Sequence, residues 1–289
     1  MVSGYDETNM TPIHRWLFYI EGALTVFVAI CAIFILPDFP VTSHSWLSKE
    51  ESRLAEKRMV EDVGVGDESE TEGHGHARGL FMALGDWKVW WLAVALTAMV
   101  VSLSFNAFFP TLSATMGYNR TVTLLLCAPP WGFATIVAFV VTRHSDRVGE
   151  RFWHIAVPLM VGIVGFVIAI STMNTAARYV SLFLMAQSYA AFITFLAWIS
   201  NSIPRPPSKR AVALAFINAF AQLGNIAGSY VWPQRWDPTY KYSYAICIAT
   251  NGLAIVMCYV FKRHLENLNK KLAEKEEEEG RPKGFRFLS

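Results

Sequence analysis

Seven stretches of the chain carry apolar residues on every side: 16–36, 89–110, 121–142, 152–172, 179–203, 211–232 and 242–261. A surface helix of a soluble protein shows polar residues on one face at every turn, and these stretches do not. About 20 apolar residues suffice for a helix to cross a bilayer's hydrocarbon. The pattern therefore predicts an all-α polytopic membrane protein with seven transmembrane helices embedded in a lipid bilayer. The first stretch is too long for a signal peptide and lacks a basic flank and a small-residue cleavage pattern.

Composition sharpens this picture. The 289 residues are 53% hydrophobic and only 17% charged, against roughly 25% charged in a soluble domain. The charges crowd between the apolar runs, as in "RHSDRVGER" (143–151). Cys31, Cys127, Cys247 and Cys258 all lie within the runs and read as packing residues, neither disulfides nor metal ligands. The net charge of +2 points to no nucleic-acid partner, because the basic residues have a topological explanation. Connections 37–86, 143–151 and 204–210 and the tail from 262 hold nineteen Lys and Arg; those on the other side hold five. Basic residues concentrate in cytoplasmic loops, so the N-terminus is expected outside and the C-terminus in the cytoplasm. Sequons at Asn9 and Asn119 fall on the exterior side of this topology.

Four regions follow: an external segment with the first helix (1–36), a cytoplasmic linker (37–86), six helices (87–261) and a cytoplasmic tail (262–289). In the linker, Ser48 and Glu51 have the spacing of a capping box that opens a surface helix. "GVGDESETEGHGHARG" is acidic and glycine-rich and is expected to be disordered. Its His74 and His76 lack the further ligands that a metal site requires. No metal and no cofactor is expected. The tail continues the last helix as a charged, solvated surface.

Polar residues inside the runs mark a candidate cavity. Asn218, Gln222, Asn225 and Ser229 recur at helical spacing, with Gly224 and Gly228 on another face suited to close packing. Ser102, Asn106, Phe109 and Ser113 form a second stripe, with a kink expected at Pro110. Gln187, Thr194, Trp198 and Asn201 form a third. From these, Asn106, Gln187, Trp198, Asn218, Gln222 and Asn225 are the substrate-cavity candidates. Trp131 follows Pro129 and Pro130 and reads either as a gate or as an aromatic packed at a broken helix. No acidic or basic residue occupies the middle of a run; Glu21 comes nearest, about 9 Å along its helix from Arg15.

The sequence Asp146-Arg147-x-Gly149-x-Arg151 resembles the loop motif of the major facilitator superfamily, with Thr142 and Glu150 departing from it. "RWLFYIEGALTV", "FFPTLSATMGY", "NSIPRPPSKRA", "LGNIAGSYVWP" and "GFRFL" resemble its fungal anion:cation symporter branch, that of allantoate, nicotinate and pantothenate permeases. The resemblance covers nearly the whole chain and corresponds to family helix six and the C-terminal half only. It implies proton-coupled transport of a small organic anion by alternating access at the plasma membrane, with Asp146, Arg147 and Arg151 in a cytoplasmic gating loop. It also implies a missing N-terminal transporter half, without which the chain is a partial or inactive transporter. The competing class, a seven-helix receptor, lacks support: no lysine lies in the last run, and Asp-Arg-Tyr and Asn-Pro-x-x-Tyr are absent. No metalloprotease or serine-nucleophile motif suggests an enzyme.

Overall fold

The computed structural model describes residues 12–35, 48–63, 75–114, 116–203, 206–279 and 286–288. The chain divides into two compact units, residues 1–68 and 69–289. Among the described residues the fold is helical, and seven helical segments are long and apolar enough to cross a membrane.

The first unit holds α1 (Pro12–Ile35) and α2 (Lys49–Val63). The capping box opens α2 as the spacing predicts. The Glu51 N–H donates to the Ser48 hydroxyl at 3.3 Å, and the Ser48 N–H donates back to the Glu51 carboxylate at 2.9 Å. That backbone bond holds the Glu51 carboxyl below its ordinary range.

The second unit runs α3 (Gly75–Leu84), α4 (Trp87–Ser102), a 3-10 turn (Leu103–Asn106), α5 (Phe109–Ala114), α6 (Arg120–Val148), α7 (Phe152–Ser171), α8 (Thr175–Ala186), α9 (Tyr189–Ser202), α10 (Pro207–Ser229) and α11 (Lys241–Glu278). Side chains of the preceding residues start several of these helices. Asp86, Asn119 and Asn174 accept N–H bonds from the first turns of α4, α6 and α8. Helix α10 lies along α4 and α3, α11 along α7 and α4, and α6 along α9.

The tightest seam is α4 against α10. A Cβ built on Gly228 would stand 2.5 Å from Ser104 Cβ, and one on Gly224 would stand 2.8 Å from the Thr97 carbonyl oxygen. Only glycine permits that approach. It delivers the 103–106 turn to the flank of α10.

Four elements differ from the sequence reading. Helix α3 lies inside the stretch read as linker and packs on α10. The run 89–110 ends as an α-helix at Ser102, passes through the 103–106 turn, and restarts as α5 with Pro110 in its first turn, where a proline's missing N–H and its ring are tolerated. By contrast, α6 passes unbroken through Pro129 and Pro130. The run 179–203 begins at Thr175 and breaks at Gln187 and Ser188. His74 and Asn9 lie outside the described residues.

Candidate functional site

A cavity of roughly 230 Å³ opens between the 103–108 turn, the start of α9 and the end of α10. Ser104, Asn106, Phe108, Tyr189, Asn225 and Ser229 line it. The 3-10 turn swings Asn106 outward while Ser102 and Phe109, its neighbours on the predicted stripe, stay buried. Tyr189 and Asn106 share the cavity lining. Across the cavity, Asn225 Nδ2 donates to Gln222 Oε1 at 2.6 Å, and Gln222 Nε2 donates to the Asn218 carbonyl at 3.4 Å. Phe108 stacks on Trp232 with ring centroids 5.8 Å apart, and the Trp232 indole donates to the Ser104 hydroxyl at 2.9 Å.

Asn218, Gln222 and Asn225 are exposed, on a face of α10 next to the one that buries Ala213, Ile217 and Ala221. A ladder of amides is costly to present to hydrocarbon, so this stripe suits water, a solute or another protein surface. The wall offers neutral donors and acceptors beside aromatic faces, and no charge.

The structure places two of the candidates elsewhere. Gln187 is buried, and its Nε2 donates to the carbonyls of Pro158 (2.8 Å) and Leu184 (3.0 Å). It supplies donors where the backbone ladder breaks between α8 and α9 and ties that break to α7. Trp198 is fully buried, and its indole donates to the Leu288 carbonyl at 2.8 Å. Neither residue lines the cavity that Asn106 and Asn225 share. Thr194 and Ser102 are likewise buried, the first bonded to the Ala190 carbonyl and the second to Asn251 Oδ1 at 2.6 Å. Trp131 packs among Phe105, Phe109 and Tyr189, with its α6 helix intact around it.

At the other end of α6, the charged loop folds on itself. Gly149 closes the helix in the left-handed region, with φ at 69°. Arg151, almost fully buried, donates to Asp146 at 2.6 Å and to the Ser145 hydroxyl at 3.0 Å. Arg147 is exposed in the last turn of α6, where a cation complements the helix dipole. Glu150 accepts from the Trp153 N–H and bonds His154, each at 2.8 Å, and His154 in turn meets His144 at 2.7 Å. Lys262 of α11 stands 3.7 Å from Glu150. The segment Arg286–Leu288 approaches the same end. Asn269 holds Phe287 through both its backbone groups, at 2.8 and 2.9 Å, and Arg286 pairs with Glu276.

Several residues escaped the sequence reading. Tyr189 shares no stripe with the amides and enters the cavity only because the helix breaks just before it. Asp86 both caps α4 and bonds Lys209 of α10 at 2.7 Å. Arg178, read as an exterior loop residue, is buried at the start of α8.

Comparison with known proteins places this architecture. The model of the Major Facilitator Superfamily matches residues 12–229. The chain is 29% identical over 251 residues to the major facilitator-type transporter hxnP of Emericella nidulans, covering 84% of this chain and 49% of that protein. It is 27% identical over 266 residues to the MFS-type transporter efuF of Hormonema carpetanum, covering 89% and 52%. A putative tartrate transporter of Agrobacterium vitis is 26% identical over 216 residues, covering 74% and 46%. The chain spans about half the length of these curated relatives. No solved structure matches it.

Proposed function

The chain belongs to the major facilitator superfamily, and from that membership we propose that it is one wall of a carrier for a small organic anion. Membership makes it an integral membrane protein of a transporter family, not an enzyme family. The observation that carries the proposal is the cavity where Asn106 and Tyr189 face Asn225, continued by the open stripe of Gln222 and Asn218. Superfamily sites lie between two halves. An exposed amide ladder beside a cavity is the surface that such a half would turn toward its counterpart.

In this reading, α1 is the sixth helix of the family fold, and the six spans from α4 to α11 are its C-terminal half. Residues 37–86 form the cytoplasmic connection between them, and the chain from 262 is the cytoplasmic tail. The N-terminus is outside the plasma membrane. An N-terminal half completes the path, and solute crosses by proton-coupled alternating access. The relative named for tartrate and the resemblance to the allantoate, nicotinate and pantothenate branch both favour a carboxylate or ureide. The loop of Asp146, Arg147 and Arg151 serves as a cytoplasmic latch, a reading supported by the Asp146–Arg151 pair that orders it.

The test is uptake of labelled tartrate and nicotinate by cells expressing the chain alone, and together with the part of the hxnP protein that the chain does not cover. Accumulation in the second arrangement, reduced about tenfold by Asn225→Leu, supports the proposal. No accumulation in either arrangement overturns it.

A further inference from the structure

The geometry points to Arg178 as the cation with which this half meets its anionic solute, held in reserve by the carbonyl of Pro238. This inference rests on the proposed anion carrier. It names the positive group that the neutral cavity wall lacks.

Arg178 is 4% exposed. Its two terminal nitrogens converge on the single Pro238 carbonyl oxygen, at 3.4 and 3.3 Å, and one also reaches Met173 Sδ at 3.4 Å. The Tyr244 phenol lies near enough to interact with it electrostatically. Every one of these partners is neutral. Among the described residues, no Asp or Glu forms an ion pair with Arg178, whereas the other buried arginine, Arg151, has Asp146. A buried guanidinium without a counter-charge is costly in a membrane domain. Bonds of 3.3–3.4 Å lie at the long end of the hydrogen-bonding range. A carboxylate offers this planar fork two oxygens and a negative charge where Pro238 offers one neutral oxygen.

The segment that would be displaced leads to the cavity. Pro238 lies between α10 and α11, on a stretch whose near end is Trp232, bonded to Ser104 of the cavity wall. Its far end is Tyr240, a buried non-glycine residue at φ 46°, in the left-handed region. Such a backbone persists only where its surroundings hold it, here through ring contacts to Trp232 and through them to Tyr244. Exchange of the Pro238 carbonyl for a solute carboxylate releases the middle of this stretch and communicates anion binding to Ser104.

Hydrogen exchange of residues 231–240, measured on the 289-residue chain in lipid nanodiscs, tests the inference with benzoate and its neutral analogue benzamide. Benzoate, and not benzamide, should speed exchange of this segment at least tenfold, and Arg178→Gln should abolish the response. Arg178→Lys keeps the charge without the fork. It should respond at least threefold more weakly, which provides the same test if the glutamine variant does not fold. A benzoate response unchanged in the variants overturns the role of Arg178 and leaves the anion carrier standing. A wild-type chain that responds to benzamide and benzoate alike, or to neither, likewise overturns the role of Arg178, whereas the carrier itself falls only with the uptake test.

Discussion

The indole N–H of Trp198, in the core of α9, donates to the carbonyl of Leu288 at 2.8 Å, across 90 positions of sequence. Trp198 is completely buried, so losing Leu288 leaves a donor with no acceptor. An orphaned buried donor costs about 1–3 kcal/mol. A chain ending at Glu279 loses this acceptor together with the Asn269–Phe287 and Arg286–Glu276 contacts, and should unfold at a lower temperature than the intact chain. In a Trp198→Phe background the same truncation should cost less by about 1–3 kcal/mol, because the other contacts are lost in both backgrounds and no donor is stranded. Equal losses in both backgrounds, read by thermal unfolding in detergent, would dismiss the bond as the cause.

The α4–α10 seam predicts opposite outcomes for the same substitution. Gly224→Ala and Gly228→Ala drive a methyl against Thr97 and Ser104, and overpacking of this kind costs about 1–3 kcal/mol. Gly252→Ala in α11 meets nothing within 4 Å. It should be neutral or stabilising by up to about 1 kcal/mol, since alanine is the better helix former. Thermal unfolding of the three variants separates packing from propensity.

Asp86 predicts an acid limb. Burial alone would raise its carboxyl, but Lys209 and the Lys88 N–H and ammonium outweigh that and hold it below the ordinary carboxylate range. A group depressed in the folded state contributes stability above its unfolded value, near 3.9. That contribution is lost as the pH falls through the lower, folded value. Asp86→Asn should therefore lower stability at neutral pH by about 1.5–3 kcal/mol, as expected for a bond to a charged partner. The deficit should shrink as the medium is acidified below about pH 4. A deficit constant across that range would assign the effect to something other than the charge.

The two groups of polar residues should part under solute titration. Asn106→Ala and Asn225→Ala should weaken solute affinity about tenfold each, the equivalent of one hydrogen bond of roughly 1.4 kcal/mol, with stability little changed. Gln187→Leu should do the reverse, because its amide serves the carbonyls of Pro158 and Leu184. Loss of affinity from Gln187→Leu at unchanged stability would place that residue back in the solute path.

The spans were legible because a bilayer demands continuous apolar length, and all seven appear where the runs predict. The glycine face and amide face of α10 were legible for a similar reason: α10 is regular, so spacing in sequence is spacing in space. The other two stripes were not, because their helices break. Between Ser102 and Asn106 the geometry becomes 3-10, and a four-residue step no longer returns to the same face. The break at Gln187 likewise turns Tyr189 into the cavity and leaves Gln187 outside it. The Trp198–Leu288 contact has no periodic signature at all, since it joins a helix to residues far from it in sequence.

One consequence of the proline pair in α6 is mechanical. With no N–H at residues 129 and 130, the carbonyls of Leu125 and Leu126 have no donor four residues on. Two adjacent rungs of the ladder are missing in a helix that is otherwise continuous for 29 residues. A rod with intact rungs must break bonds to flex, whereas this one bends at that level with none there to break. The stiff arms on either side, 120–128 and 131–148, meet at a built-in pivot. The shorter arm ends at the Asn119 cap, and the longer one carries the Asp146–Arg151 clasp at its tip.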